Sequence, residues 1–468
     1  MNVHLILLLG YTALLFGLGL LVARRVRGSA DFFVAGRALS APLLMSTILA
    51  ANIGAGATVG ATGLAFSDGV SAWWWNGSAA IGSLALAFWV GPRIWRLAAA
   101  RGFLTVGDFL EHRYHPIVRA LVAALIWIGT LAILAAQLIA GAAVLEVVAG
   151  VPRMWGVLIG AAAMLAYFTG GGLLASAWVN AVQLVVLLAG LLLAVPLVVA
   201  AAGGWRALAT AGPPGYTDVL HVSGPGGGIM LLALLAPAFI VSPGLLQKVF
   251  GARDVRAVRL GVGLQALVLA VFACVPVIFG MAARVLVPEV ASPNLVLPTV
   301  LVEALPLWLS ALALAAIFSA EVSTCDAILF MLSTSLSQDL YRRFLRPQAS
   351  DAAVLRMARW AALLGAAAGV AIALVVPTFI GALSVFYTLL GVSLFVPVLA
   401  GLYLRGVGVP EALAAIAGGV TFVLAQALRA EPGTALWDHP NVGGLVCAAL
   451  ALLLVAAVRR VTRRPPVS

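Results

Sequence analysis

Charge is scarce in this chain of 468 residues: 9% are Asp, Glu, Lys or Arg, and Lys248 is the only lysine. The longest non-apolar stretches, 99–116, 202–225 and 287–305, are too short to build a water-soluble domain with its own core. Cysteine is equally sparse. Cys274, Cys325 and Cys447 all fall within apolar stretches, which excludes a disulfide framework or a thiolate metal cage. The five histidines, His4, His112, His115, His221 and His439, sit at segment edges or in loops, so no nucleophile–base pair or metal constellation forms within an apolar segment. No G-x-x-x-x-G-K-[ST] loop is present, which argues against ATP-driven transport.

What the chain has is apolar length. Hydrophobic residues make up 63% and the mean hydropathy is +1.14. Thirteen mostly apolar segments are expected, at 3–24, 38–66, 70–98, 117–149, 152–170, 173–201, 226–250, 255–286, 306–340, 352–375, 378–404, 409–428 and 440–463. Most are long enough to cross hydrocarbon as a helix, at 1.5 Å per residue. The expected class is therefore an all-α polytopic membrane protein with the lipid bilayer as its solvent. With the N-terminus outside, all of the 27 basic residues except Arg153, Arg206, Arg284 and Arg429 collect at cytoplasmic ends, so the positive-inside rule places the C-terminus in the cytoplasm of a cell whose inner membrane the chain spans. The net charge of +11 is then topological and implies no nucleic-acid partner. The first segment has no basic residue before it and Arg24, Arg25 and Arg27 after it, so it reads as a retained helix rather than a cleaved leader. Two short elements lie between spans. Thr105 to Tyr114 reads as a cytoplasmic amphipathic helix with Thr105 as N-cap and Asp108 at N3, and Leu295 to Leu305 as an external one.

The second segment carries Asn52-Ile53-Gly54-Ala55-Gly56-Ala57-Thr58 at mid-membrane depth, and five segments later the seventh carries Pro237 and Ser242-Pro243-Gly244. Glycine weakens a helix and proline removes a backbone donor, so both segments are expected to break. The breaks fall on the first helix of each of two five-segment sets. Paired interruptions of this kind point to a secondary transporter built from inverted repeats, whose freed backbone groups hold a cation and a substrate; the alternative is close packing at glycines and simple kinks at prolines. The ninth segment adds Ala320, Ser323 and Thr324 at i, i+3 and i+4, one helix face offering a carbonyl-bearing position and two hydroxyls, which suits a small alkali cation unless the hydroxyls bond back to their own helix. Glu321 and Asp326 lie beside that face, and acids within a span usually border a polar path.

Several stretches resemble the sodium:solute symporter family, whose members include proline, pantothenate, sialic-acid and glucose cotransporters. They are Asp31-Phe32-Phe33-Val34-Ala35-Gly36-Arg37, Gly170-Gly171-Gly172-Leu173 through Asn180 and Gln183, Gln247-Lys248-Val249-Phe250-Gly251-Ala252 with Arg256, Ala320 through Asp326 continuing to Ser337-Gln338-Asp339-Leu340-Tyr341, and more weakly Pro397 to Tyr403. The resemblance spans residue 31 to about 420. It implies a LeuT-type fold of five-plus-five inverted repeats within one transporter domain over 1–468: residues 1–37 form an N-terminal helix and loop, 38–202 and 226–405 the repeats, and 408–468 two further helices. It also implies sodium-coupled uptake of a small solute by alternating access. The family's main sodium site carries over onto the carbonyls of Ala50, Ile53 and Ala320 and the hydroxyls of Ser323 and Thr324. Some members place an aspartate of a second sodium site where this chain has Asn180, so Asn180, Glu321 and Asp326 are candidates for a second cation or proton site.

The solute is expected between the two breaks, near Asn52, Gly54, Gly56, Thr58, Trp74, Asn76, Gln137, Phe239 and Ser242. With no arginine or lysine expected at mid-depth, a carboxylate would rely on the exposed N–H groups of the broken second segment. This favours an amino acid or monocarboxylate over a polyhydroxylated sugar. A proton-coupled transporter of the same fold, a channel and a transporter-like sensor remain as alternatives, although the polar residues cluster at the breaks and the chain ends at Ser468 soon after the last segment. A monomer is expected.

Overall fold

The computed structural model describes residues 34–221, 227–376, 379–429 and 436–462, together with a few positions between 6 and 17. The expected first segment and Asp31 to Phe33 therefore lie largely outside the described residues. Within them the fold is helical. The elements that position the site are α1 (Ala41–Asn52), α2 (residues 56–68), α3 (residues 73–101), α4 (Val106–Arg113), α5 (Pro116–Ala149), α6 (Arg153–Ala201), α7 (Gly228–Val241), α8 (Pro243–Phe250), α9 (Val255–Leu286), α10 (Val296–Ala304), α11 (Leu307–Thr334, continued by wider turns over Ser335–Leu345), α12 (Asp351–Val375), α13 (Phe379–Tyr403), α14 (Val409–Ala427) and α15 (Pro440–Thr462). Eight helices among the described residues are long and apolar enough to cross a membrane, or up to nine if the bent run from Ala41 to Arg101 counts as one span.

That count is below the expected thirteen for identifiable reasons. The first segment is largely outside the described residues, the second and third fall in the bent run from Ala41 to Arg101, the ninth is described as an apolar helix only over Leu307–Phe318, and the boundary expected at 170–173 is helical in the backbone, so that Arg153–Ala201 runs as one element. Glycines at 170–172 weaken a helix without removing any backbone donor, whereas a proline would interrupt it. Side chains 166–177 are not described.

Both breaks occur where expected. The last ladder bond of α1 runs from Ile53 N–H to Leu49 O at 2.8 Å, Ile53 leaves helical geometry (φ −91°, ψ 66°), and α2 resumes at Gly56 at an angle of 61° to α1. Between α7 and α8 a single residue, Ser242, is extended (φ −49°, ψ 123°), as the following Pro243 favours.

The core lies where these broken helices meet their neighbours. α1 packs on α9 and α6, α7 on α3, and α11 on α6, α5 and α1, while α14 and α15 pair with each other at the periphery. Outward-facing Leu, Val, Phe and Trp such as Phe88, Trp155, Leu193, Val271 and Trp360 leave a wide apolar girdle, as a lipid-facing surface requires. Between α3 and α5, α4 forms with the capping box read from its sequence. Thr105 Oγ1 accepts from Asp108 N–H at 3.1 Å while Asp108 accepts from Thr105 N–H at 3.0 Å, a reciprocal capping box. The short helix expected near Leu295 to Leu305 also forms, as α10.

The Ala35-Gly36-Arg37 stretch turns left-handed at all three residues (φ 49°, 59° and 58°). That geometry is unfavourable for alanine and arginine. It is held because the Arg37 guanidinium donates to three carbonyls, Phe250 at 2.9 Å, Ala98 at 3.1 Å and Phe103 at 2.7 Å. Two of the sequence stretches singled out above thus meet in space, the loop before α1 against the end of α8.

Candidate functional site

A cavity opens at the meeting point of the two breaks, with about 70 Å³ of room for the centres of water-sized groups. Its walls come from α1 and α2 (Asn52, Gly54, Gly56), α3 (Trp75, Asn76), α5 (Gln137), α7 and α8 (Phe239, Ser242, Lys248), α11 (Thr324, Met331) and α13 (Phe386, Tyr387). Trp75, Phe239, Phe386 and Tyr387 form an aromatic cluster around Tyr387, with ring centroids 6.4, 5.7 and 5.2 Å away.

Two side chains that the sequence offers as solute ligands also satisfy the broken backbone. Gln137 Oε1 accepts from Ala55 N–H at 3.0 Å, and Asn76 Nδ2 donates to the Ala57 carbonyl at 2.9 Å. Without these bonds, groups freed by the break would sit unpaired in a low-dielectric interior. Asn52 Nδ2 donates to Gln265 Oε1 at 3.1 Å, tying α1 to α9.

Thr58 behaves differently from expectation. Its hydroxyl bonds back to Gly54 O at 2.9 Å, and it does not line the cavity. Trp74 is displaced as well: its indole donates to Val219 O at 2.9 Å in the loop between α6 and α7, and Trp75 faces the cavity in its place. Neighbouring residues on a helix differ by about 100°, so a run of three tryptophans does not itself reveal which one faces in.

The expectation that no basic residue reaches mid-depth is corrected by Lys248. It is 3% exposed and lines the cavity. The cause is the second break: α8 begins at Pro243, so Lys248 lies only about 9 Å along the helix from Ser242, within reach of its own long stem. Sequence reasoning also missed Tyr387 and Phe386, which carry no local signal beyond their apolar character.

The face proposed for the cation is assembled by close approach. Thr324 Oγ1 stands 3.5 Å from the Ala51 carbonyl, and a Cβ on Gly54 would come within 2.8 Å of Thr324 Cβ. Among the described residues, no backbone N–H reaches the carbonyls of Ala50 or Ile53, which leaves these hard oxygens for another partner. Ala320 is buried on the same helix. The side chains of Ser323 and Asp326 lie outside the described residues. Asn180, at the position of the departed aspartate, is buried and donates to Thr47 Oγ1 at 3.3 Å on α1.

Below the cavity, toward α4, Arg119 is enclosed by carboxylates: Asp108 at 2.8 Å, Glu111 at 3.0 Å and Asp339 at 2.7 Å, with Thr105 Oγ1 donating to Asp339 at 2.6 Å and Arg343 pairing with Glu111 at 2.6 Å. This network joins α4, the start of α5 and the end of α11. Above the cavity a second hollow of about 400 Å³, lined by Asp68, Trp75, Met230, Ser384, His439 and Asn441, shares the Trp75 wall.

Residues 32–419 match the profile of the sodium:solute symporter family. The chain is 28% identical to the sodium/pantothenate symporter of Escherichia coli K12, over 96% of this chain and 95% of that one. It is 25% identical to the sodium/glucose cotransporter of Vibrio parahaemolyticus, over 76% and 71%, and 26% identical to the sodium/proline symporter of E. coli K12, over 78% and 76%. Among solved structures, the substrate-bound outward-open state of a sodium-coupled sialic acid symporter superposes with a TM-score of 0.84 at 17% identity, covering 98% of both chains. A nucleobase-cation-symport-1 family transporter superposes at 0.61 and 16% identity, covering 93% of this chain and 95% of that one.

Proposed function

The chain belongs to the sodium:solute symporter family, a multi-pass transporter of LeuT-type fold that couples solute movement to sodium, and on that footing we propose that it imports a small organic carboxylate, an amino acid or monocarboxylate, through the cavity at the two helix breaks. The observation that supports this reading is convergence: both breaks, Thr324 of α11 and the polar side chains of α3 and α5 face one cavity. In this reading residues 38–202 and 226–405 are the two inverted repeats, the N-terminus is outside, and one chain suffices as the working unit because it carries both breaks.

Sodium is held by the carbonyls of Ala50, Ile53 and Ala320 and the hydroxyls of Ser323 and Thr324. Five hard oxygens and no soft donor suit an alkali cation. The solute sits alongside. The cavity admits water-sized groups, and its mostly apolar wall with a few convergent polar groups suits a compact solute with one polar end. The aromatic cluster contacts its apolar part, Gln137, Asn52 and Ser242 orient it, and the Lys248 ammonium attracts its carboxylate as a point charge.

The test is uptake in proteoliposomes under imposed sodium or proton gradients, screened over amino acids, monocarboxylates and sugars. Accumulation driven by the proton gradient alone, or of sugars only, overturns the reading. In the same assay Thr324→Ala raises the sodium concentration for half-maximal uptake by about tenfold or more, because a dry site cannot replace a lost ligand with water; unchanged sodium activation removes the site assignment. Lys248→Met raises the KM for the carboxylate solute by about tenfold, the loss of one charge-assisted contact, and leaves half-saturation by sodium near its original value. Equal effects on both would show that Lys248 acts on the fold rather than on the solute.

A further inference from the structure

Two amides in the cavity wall are locked in one orientation by the helix break they repair. The Ala55 N–H can be met only by an acceptor, so Gln137 turns Oε1 toward it at 3.0 Å and is left with its NH2 group. The Ala57 carbonyl can be met only by a donor, so Asn76 turns Nδ2 toward it at 2.9 Å and is left with its oxygen. Turning either amide over would set donor against donor or oxygen against oxygen. Neither Gln137 Nε2 nor Asn76 Oδ1 bonds to any described residue, and neither atom is sealed off from the cavity that both side chains line. With Gln137 2% and Asn76 3% exposed, these free ends face an enclosed space rather than bulk water, where an unmet polar group is costly.

The two free ends ask different things of a solute. The Gln137 NH2 group donates and suits a carboxylate oxygen, as the Lys248 ammonium does. The Asn76 oxygen can only accept, and a carboxylate, itself an acceptor, cannot serve it. A plain monocarboxylate that fills the cavity displaces any water at Asn76 Oδ1 and puts hydrocarbon in its place, which leaves a buried acceptor unmet.

We infer that the solute carries an N–H or O–H donor as well as a carboxylate, and that Asn76 is the residue that selects for this donor. This rests on the carboxylate reading above and narrows it: amino and hydroxy acids are accepted, and plain monocarboxylates of the same shape are rejected. The selection is chemical rather than steric. A methyl group in place of an amino or hydroxyl group changes the volume little, whereas a site built to accept a hydrogen bond discriminates strongly against the analogue that lacks the donor. One unmet buried acceptor corresponds to roughly tenfold to a hundredfold in affinity. Because the same amide bonds the Ala57 carbonyl, the selectivity is tied to the break: the backbone that α2 presents to α3 is what aims the Asn76 oxygen.

The test is competition for sodium-driven uptake in proteoliposomes among short carboxylates that differ only in bearing an amino, a hydroxyl or a methyl group at the 2- or 3-position. In the unmodified protein the best donor-bearing acid is expected to compete about tenfold or more above its methyl counterpart. A methyl acid that competes as well as the best donor-bearing one overturns the inference. Asn76→Leu, which keeps the size and removes the acceptor, is expected to erase the difference, weakening the donor-bearing acid about tenfold while the methyl acid holds or gains. An Asn76 that served only to brace the break would weaken both acids alike, and that result also overturns the inference. If Asn76→Leu does not fold, the comparison of acids in the unmodified protein decides alone. Carboxylates that accumulate without regard to a donor sink only this inference, whereas failure of every carboxylate to accumulate on a sodium gradient sinks the reading beneath it as well.

Discussion

Gly54→Val is expected to abolish sodium-driven uptake while the purified protein keeps its helical content and elutes as a single species. A Cβ at Gly54 would lie 2.8 Å from Thr324 Cβ and 2.9 Å from Thr324 Cγ2, distances that real carbon atoms do not adopt, so α11 or the break must move apart. Valine adds two further methyl groups in the same direction, and its β-branch leaves little rotameric escape. The shift separates Thr324 from the carbonyls at the end of α1, which removes the cation face rather than one ligand. Gly56→Val is milder. Its Cβ would meet Leu383 Cδ1 at 3.0 Å and Trp75 Nε1 at 3.6 Å, both at ends of side chains that can yield. The measurement is sodium-gradient uptake in proteoliposomes beside circular dichroism and gel filtration. Uptake that survives Gly54→Val would show that α1 and α11 need not touch, and the site would have to be sought elsewhere.

Arg119→Met is expected to destabilise the protein by about 3–5 kcal/mol, the cost of removing one partner from a buried ion pair. The guanidinium is 7% exposed and serves Asp108, Glu111 and Asp339 together. Taking it away leaves three carboxylates facing one another, with Thr105, the Leu104 N–H and the more exposed Arg343 still bonded to them. Asp339→Asn costs less, because Arg119 keeps two carboxylates. Thermal melting in detergent, followed at constant lipid and sodium, reads both. A change below about 1 kcal/mol for Arg119→Met would place the network among surface ion pairs of little net value.

The network also has a pH signature. Burial alone would raise the Glu111 carboxyl, but the hydrogen bonds from Arg343 and Arg119 outweigh it and hold the group below its ordinary value. A carboxyl lowered in the folded state contributes stability that is complete above the unfolded-state value and is lost as pH falls through the lowered one. In Arg119→Met that contribution shrinks, so the variant's stability depends less on Glu111 ionisation in the acid range.

Much of the architecture was legible locally. The breaks at Ile53 to Gly56 and at Ser242 follow from glycine and proline acting on their own backbone, and the α4 capping box needs only Thr105 and Asp108, three residues apart. The broken pairing of the second and seventh segments led to the transporter class before any contact was known. The residues that fill the cavity were harder to assign, because side-chain direction within a buried helix is set by its neighbours. Trp74 and Trp75 differ by one position, yet one bonds to the Val219 carbonyl and the other lines the cavity. Thr58 bonds to its own helix, while Gln137 and Asn76, 82 and 19 residues from their backbone partners, repair the break.

By itself the sequence determined that the chain is helical and membrane-spanning and where its two helices break, because hydropathy and backbone chemistry are local properties. Only the tertiary structure decided that Lys248 reaches the cavity, that Glu321 is buried with neither carboxyl oxygen in a hydrogen bond among the described residues, and that Arg119 joins Asp339 across 220 residues of chain. Those facts depend on how separate helices pack, and burial and charge pairing acquire their energies only when distant elements exclude water together.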